Sequence, residues 1–153
     1  RGLGDVYKRQ DIGLANPNAC MRTVIAMQAA KTLGFPEARI PIASAIIDLC
    51  LSPKSKSSEN AIDAALTSLN ERSLKTPSYL RLTPVGLEDD EKYDYSRPEL
   101  WEYIQYLPKE LGNTQFYVPW MTSNYEKALA ENYRRILKHG RTSDIKKLNQ
   151  QNK

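Results

Sequence analysis

The sequence predicts an all-α protein, and three observations carry that expectation. Two neighbouring stretches, one ending at Leu33 and one running from Ile40 to Leu51, hold apolar residues at helical spacing with start and stop residues at their ends. Two later stretches, from about Ser58 to Ser73 and from Ser123 to His139, repeat the helical period with one polar face. The only strand-like run is Phe116-Tyr117-Val118, and three residues do not make a sheet. The chain has 153 residues, enough for one domain with a real core. Its 41% hydrophobic and 26% charged residues are ordinary for a soluble globular protein, and the sequence shows no transmembrane run.

Asn16-Pro17 opens the first helix. Asn is a preferred N-cap, and proline at the first helical position loses an N–H that has no partner there. Ala19, Cys20, Val24, Ile25, Met27, Ala29, Ala30 and Leu33 follow, and Gly34 stops the helix. The stretch Gly34 to Lys54 is the one around which the rest is expected to be organised. Ile40, Ile42, Ala43, Ala45, Ile46, Ile47, Leu49, Cys50 and Leu51 cover nearly the whole circumference of a helix, interrupted only by Ser44 and Asp48. A helix apolar all round must be surrounded, and this one is too short to span a bilayer. Pro41 bends or delays its start, and Ser52-Pro53 ends it. The two helices form an apolar αα-hairpin that further helices are expected to wrap.

The third helix puts Ala61, Ile62, Ala65, Leu66 and Leu69 on one face, which should cover one side of the hairpin. Prolines 77, 84 and 98 then enforce an irregular Pro/Tyr-rich segment with a helical turn near Tyr79 to Leu82. A helix from Pro98 to about Tyr106 should direct Leu100, Trp101, Ile104 and Leu107 inward, and Pro108 to Leu111 reads as one isolated turn before Gly112. In the helix Ser123–His139, Tyr125, Ala128, Leu129 and Ile136 mark the buried face. Gly140 ends it, and Ser143 to Asn149 adds a short frayed helix. The domain is expected over residues 11–139, with 140–153 as a basic tail. Arg1 to Gln10 has no helical or strand period and reads as a foreign leader.

No residue pattern supports catalysis. The glycines are scattered and none precedes a lysine, so there is no phosphate-cradling P-loop. Zinc needs about four ligands, and Cys20, Cys50 and His139 are too few and too far apart. Cys50 lies between Leu49 and Leu51 and reads as a core residue, as does Cys20, in a reducing compartment. His139 suits the negative end of a helix, and Glu88 to Glu91 reads as a solvated acidic loop. No metal or cofactor is expected in this chain.

The formal net charge of +4 is small but unevenly spread. Acids dominate from Leu87 to Glu102, and bases dominate from Glu126 to the end. Lys127, Arg134, Arg135, Lys138, Arg141, Lys146 and Lys147 are candidate DNA contacts, because phosphates dominate nucleic-acid affinity. Tyrosines between 93 and 133 are candidates for stacking on bases; the alternative is that Trp101, Phe116, Tyr117 and Trp120 pack the lower half of the fold. The candidate core or subunit-interface residues are Val24, Met27, Ile42, Ile46, Ile47, Leu49 and Cys50, from the two helices that lack a wide polar face.

DIGLANP at Asp11 to Pro17 and GFPEARIPIASAIIDLCLSPKS at Gly34 to Ser55 resemble one family. Thr76-Pro77 with Tyr79-Leu80-Arg81, Gln105-Tyr106-Leu107-Pro108 and Phe116-Tyr117-Val118-Pro119 extend the likeness to about Leu137. It is the replication-associated recombination protein A family of AAA+ ATPases, related to the Werner-helicase-interacting ATPase, in its carboxy-terminal region. The resemblance implies a helical region that assembles homotetramers of an ATPase acting in replication-fork maintenance, recombination and DNA repair. It places ATP and magnesium in an amino-terminal part outside this chain. It implies a cytoplasmic, nucleoid-associated protein that meets DNA and replication proteins such as single-strand-binding protein, with no membrane partner. An alternative is a DNA- or partner-docking module built on the basic terminal helix.

Overall fold

The computed structural model describes residues 10–151, so the leader reading lies, but for Gln10, outside the described residues. The fold is all-α. Five α-helices follow in chain order: α1 (Pro17–Leu33), α2 (Arg39–Leu51), α3 (Ser57–Glu71), α4 (Asn124–Lys138) and α5 (Ile145–Gln151). Short 3-10 turns at Gly13–Ala15, Ser78–Leu80, Asp89–Glu91, Pro98–Tyr103 and Lys109–Leu111 join them. Among the described residues there is no strand, only an isolated parallel bridge between Ile104 and Thr142. The chain divides into two compact units. One takes the residues up to Leu66 with Phe116–Glu131, the other Thr67–Gln115 with the residues from Asn132 on.

In the first unit the helix boundaries follow from local chemistry. The Asn16 side-chain oxygen accepts the Ala19 N–H at 3.2 Å, satisfying one of the open donors of the first turn of α1. Its amide nitrogen donates to the Ser52 hydroxyl at 3.0 Å, and that hydroxyl donates to the Asp48 carbonyl at 2.6 Å. The start of α1 is thereby tied to the end of α2. Gly34 ends α1 at φ +70°, a left-handed conformation that glycine adopts without Cβ strain. Pro41 is the third residue of α2, where an N–H would have no intrahelical acceptor, so it begins the helix rather than breaking it. Ile12, Ala19 and Leu49 are buried together, with Cys20 packed against them. Gly13 is required by space: a Cβ there would lie 2.7 Å from the Ser55 carbonyl oxygen. The same crossing is held by the Ser55 N–H donating to the Asp11 carbonyl at 2.9 Å.

In the second unit Leu100, Ile104, Ile145 and Leu148 form the core, with Tyr79, Leu80, Tyr93 and Tyr103 against it. Residues 140–153, expected as a basic tail, therefore supply two buried side chains through α5. The turn Pro98–Tyr103 winds as a 3-10 helix of six residues. At three residues per turn it brings Leu100 inward and leaves Trp101 exposed, contrary to the expectation that both point in.

Three further expectations are corrected. The hairpin is formed, but among the described residues it is not wrapped: Val24, Ile25, Met27, Ile40, Ile46, Ile47 and Leu51 are exposed. Ile62 and Leu66 of α3 are exposed as well, so that helix does not serve as a cover. On α4 the inward stripe is Glu126, Ala130 and Ile136, while Tyr125 is half exposed and Ala128 exposed. Ile136 is buried as expected, and in the first turn Glu126 rather than Tyr125 faces inward because hydrogen-bond donors wait for it there.

Candidate functional site

Of the seven candidate interface residues, the structure buries Leu49, half-buries Ile42 and leaves the other five exposed. Ile46 and Ile47 are 55% and 58% exposed, and Cys50 is exposed rather than in the core. The reason is geometric. Two helices side by side cover only the faces they turn to each other, and a helix apolar on every side keeps the remainder. Cys20 and Cys50 are both free thiols.

Between α1 and α2 lies an open groove of about 290 Å³, lined by Arg22, Ile25, Ala26, Ala29, Pro41, Ser44, Ala45 and Asp48. Its small residues let the two backbones approach and leave a shallow apolar floor. At one end Arg22 grips Asp48 with two parallel bonds, Nε to Oδ2 at 2.7 Å and Nη2 to Oδ1 at 3.0 Å. The Arg22 bond holds the Asp48 carboxyl below its usual range. This fork ties the two helices of the hairpin together and gives the apolar surface a charged mark at one end.

A second polar device was not legible in the sequence. Glu126 is fully buried, and its Oε1 accepts from the Ser55 hydroxyl at 2.9 Å, from the Ser57 hydroxyl and from the Trp120 N–H at 3.2 Å. Burial pushes its carboxyl up, but the bonds from Ser57, Ser55 and the Trp120 and Thr122 amides outweigh it and hold it low. Thr122 also donates to the Lys54 carbonyl at 2.8 Å. The network fastens the loop before α3 to the first turn of α4. The available signal was the glutamate itself: it stands in the first turn of a helix, where a carboxylate meets open backbone donors.

The seven basic candidates are shared between the two units. Lys127 belongs to the first unit and the others to the second. Arg135 is committed to Glu102, with Nη1 to Oε2 at 2.8 Å and Nη2 to Oε1 at 2.6 Å, which holds that carboxyl below its usual range. His139 Nε2 stands 3.6 Å from the same carboxylate, its ring edge-on to Tyr103. Lys146 Nζ lies 3.5 Å from Asp90. The Lys147 backbone N–H donates to the Asp144 carboxylate, which caps α5, at 3.0 Å. Arg134 and Lys138 are exposed, and Arg141 lies over the Tyr106 ring, 5.8 Å from its centre. The acidic stretch and the basic stretch thus neutralise each other in part, pairing charges that lie far apart in the sequence. Among the described residues no group of acids, histidines and cysteines is placed to hold a metal, and no helix is long and apolar enough to cross a membrane.

Comparison with known proteins places these features in a family. Residues 6–137 match the family described as MgsA AAA+ ATPase C terminal. Replication-associated recombination protein A of Bacillus subtilis is 43% identical over 140 residues, which is 87% of this chain and 33% of that protein. The protein of the same name from Escherichia coli is 31% identical over 118 residues, 72% of this chain and 26% of that protein. An uncharacterized AAA domain-containing protein of Mycobacterium tuberculosis is 32% identical over 121 residues, 74% of this chain and 27% of that protein. The chain spans about a third or less of the curated relatives it matches. It belongs to the MgsA AAA+ ATPase C-terminal family.

Proposed function

We propose that this chain is the self-association domain, tetrameric in its assembled form, of a AAA+ ATPase that works in replication-associated recombination. The observation that carries the reading is the exposure of the hairpin: two helices rich in apolar residues present Val24, Met27, Ile46 and Ile47 to solvent. Monomeric proteins rarely expose contiguous apolar patches of more than a few hundred Å², and obligate interfaces resemble a domain core cut in half. A second copy of the same surface supplies the missing half. The ATPase site, with ATP and magnesium, belongs to another part of the full-length protein, and its setting is cytoplasmic and nucleoid-associated. Sedimentation equilibrium of the 153-residue chain tests the reading. A concentration-dependent mass above that of one chain supports it, and a folded monomer at all concentrations sinks it.

DNA docking by the basic residues is the second reading, and the exposure of Arg134 and Lys138 on one face of α4 favours it. Arg135 and Lys146, already paired with acids, contribute less than their charge implies. A fluorescence-polarisation titration of forked and single-stranded DNA at about 50 mM salt checks it, since phosphate contacts make affinity fall with salt. Absence of salt-dependent binding would leave the assembly role alone. Contact with single-strand-binding protein is a further proposal, tested by the same assay with that protein labelled.

A further inference from the structure

The second unit holds a cavity of about 420 Å³ with an unusual lining: three cations, Lys75, Lys109 and Arg141, face one acid, Glu110. Four other cations of this unit are paired, Lys92 with Asp89, Arg97 with Glu99, Arg135 with Glu102 and Lys146 with Asp90. Among the described residues, none of the three cavity cations has a carboxylate within ion-pair distance. A concave surface concentrates their field.

The floor of this cavity is built rather than loose, and Gln105 is its centre. The Gln105 N–H donates to the Thr142 carbonyl at 2.9 Å, and its carbonyl accepts the Tyr79 hydroxyl at 2.6 Å. Its side-chain nitrogen donates to the Gly112 carbonyl at 2.6 Å, and its side-chain oxygen accepts the Leu107 N–H at 3.0 Å. Every polar group of one residue is thus spent on holding the wall, which fixes the backbone on three sides of the cavity. Arg141 is steadied by the Tyr106 face beneath it. Ser78 and Ser143 add hydroxyl donors to the lining. A second cavity of about 290 Å³ shares Gln105, Leu107, Gly112 and Arg141 with the first and adds Tyr133, Asn113 and Gln115.

We infer that this cavity binds a phosphomonoester, with the phosphate between Lys75, Lys109 and Arg141 and the organic part directed past Arg141 into the adjoining cavity. Three positive charges against one negative suit a dianion better than a single carboxylate, which one arginine fork would satisfy. Aromatic and amide side chains beyond Arg141 suit a planar, hydrogen-bonding body, so a nucleoside 5′-monophosphate is the probe of choice. The site is independent of the hairpin and of self-association.

Isothermal titration calorimetry of the whole chain with adenosine 5′-monophosphate, at constant ionic strength, tests the inference, with unphosphorylated adenosine as the control. Saturable binding of the monophosphate and none of adenosine is expected. Arg141→Gln should weaken it about tenfold, and the variant Lys75→Gln, Lys109→Gln by a similar factor, with unchanged circular dichroism. Inorganic phosphate should compete. No heat from the wild-type chain at about 10 mM probe, where even a contact of a few kcal/mol is visible, would overturn the inference. So would equal binding by the Gln variants, or binding of duplex DNA phosphodiesters without the monoester.

Discussion

The hairpin and the second unit make opposite use of apolar residues. α1 and α2 are the richest apolar stretches of the chain, yet most of their large side chains face solvent. The second unit is made of prolines, turns and acidic loops, yet it buries Leu100, Ile104, Ile145 and Leu148 tightly together. Apolar content tells how much surface seeks cover; burial tells whether the same chain provides it. Where the two disagree, as in the hairpin, the described residues leave the apolar surface uncovered.

The comparison is broken most severely by charging the hairpin. Ile46→Asp with Ile47→Asp should abolish self-association, because each carboxylate buried unpaired in an interface costs several kcal/mol. The isolated chain should keep its helical circular dichroism, since both positions are exposed within it. Loss of folding along with assembly would show that the hairpin is covered by its own chain after all.

Leu100→Ala probes the other half of the comparison. Leu100 is buried in the second core, and truncation of such a leucine costs about 2–5 kcal/mol. The thermal midpoint should fall by several degrees while the sedimentation behaviour of the surviving folded fraction stays the same. An oligomer lost at the same time would couple the two regions.

Glu126→Ala is expected to cost about 1–3 kcal/mol, since it leaves the Ser55 and Ser57 hydroxyls and the Trp120 N–H without their acceptor. Its pH dependence has a defined sign. The folded carboxyl is held below the value it has in the unfolded chain, so its contribution is complete above the unfolded value, about pH 4.3. It is lost as the pH falls through the lower folded value. Thermal melts at descending pH should therefore steepen in the wild type and flatten in Glu126→Gln. Parallel curves would remove Glu126 from the account.

The smallest effect is expected of Arg135→Gln. The side chain is half exposed, and exposed ion pairs add little to stability. The melt should hardly move, and the Glu102 carboxyl should rise towards its ordinary range, visible in a carboxylate NMR titration. An unchanged Glu102 titration would mean the pairing does not persist in solution.

Local chemistry made much of this fold legible in the chain. Asn16-Pro17, Gly34 and Ser52-Pro53 bound α1 and α2 because caps and prolines act within four residues of where they stand. The family resemblance was legible for a related reason: its two long motifs are the cap of α1 and the whole of α2. What the tertiary structure alone decided are the pairings between distant residues. Glu126 with Ser55 and Ser57, Arg135 with Glu102, and Ile145 with Leu100 each join segments that no local period connects. At the start of α4 Glu126 rather than Tyr125 turned inward, because donors from Ser55, Ser57 and Trp120 meet its Oε1 there. Periodicity gives the width of an apolar stripe, but which residue at its edge turns inward depends on the polar partners that the rest of the fold carries to it.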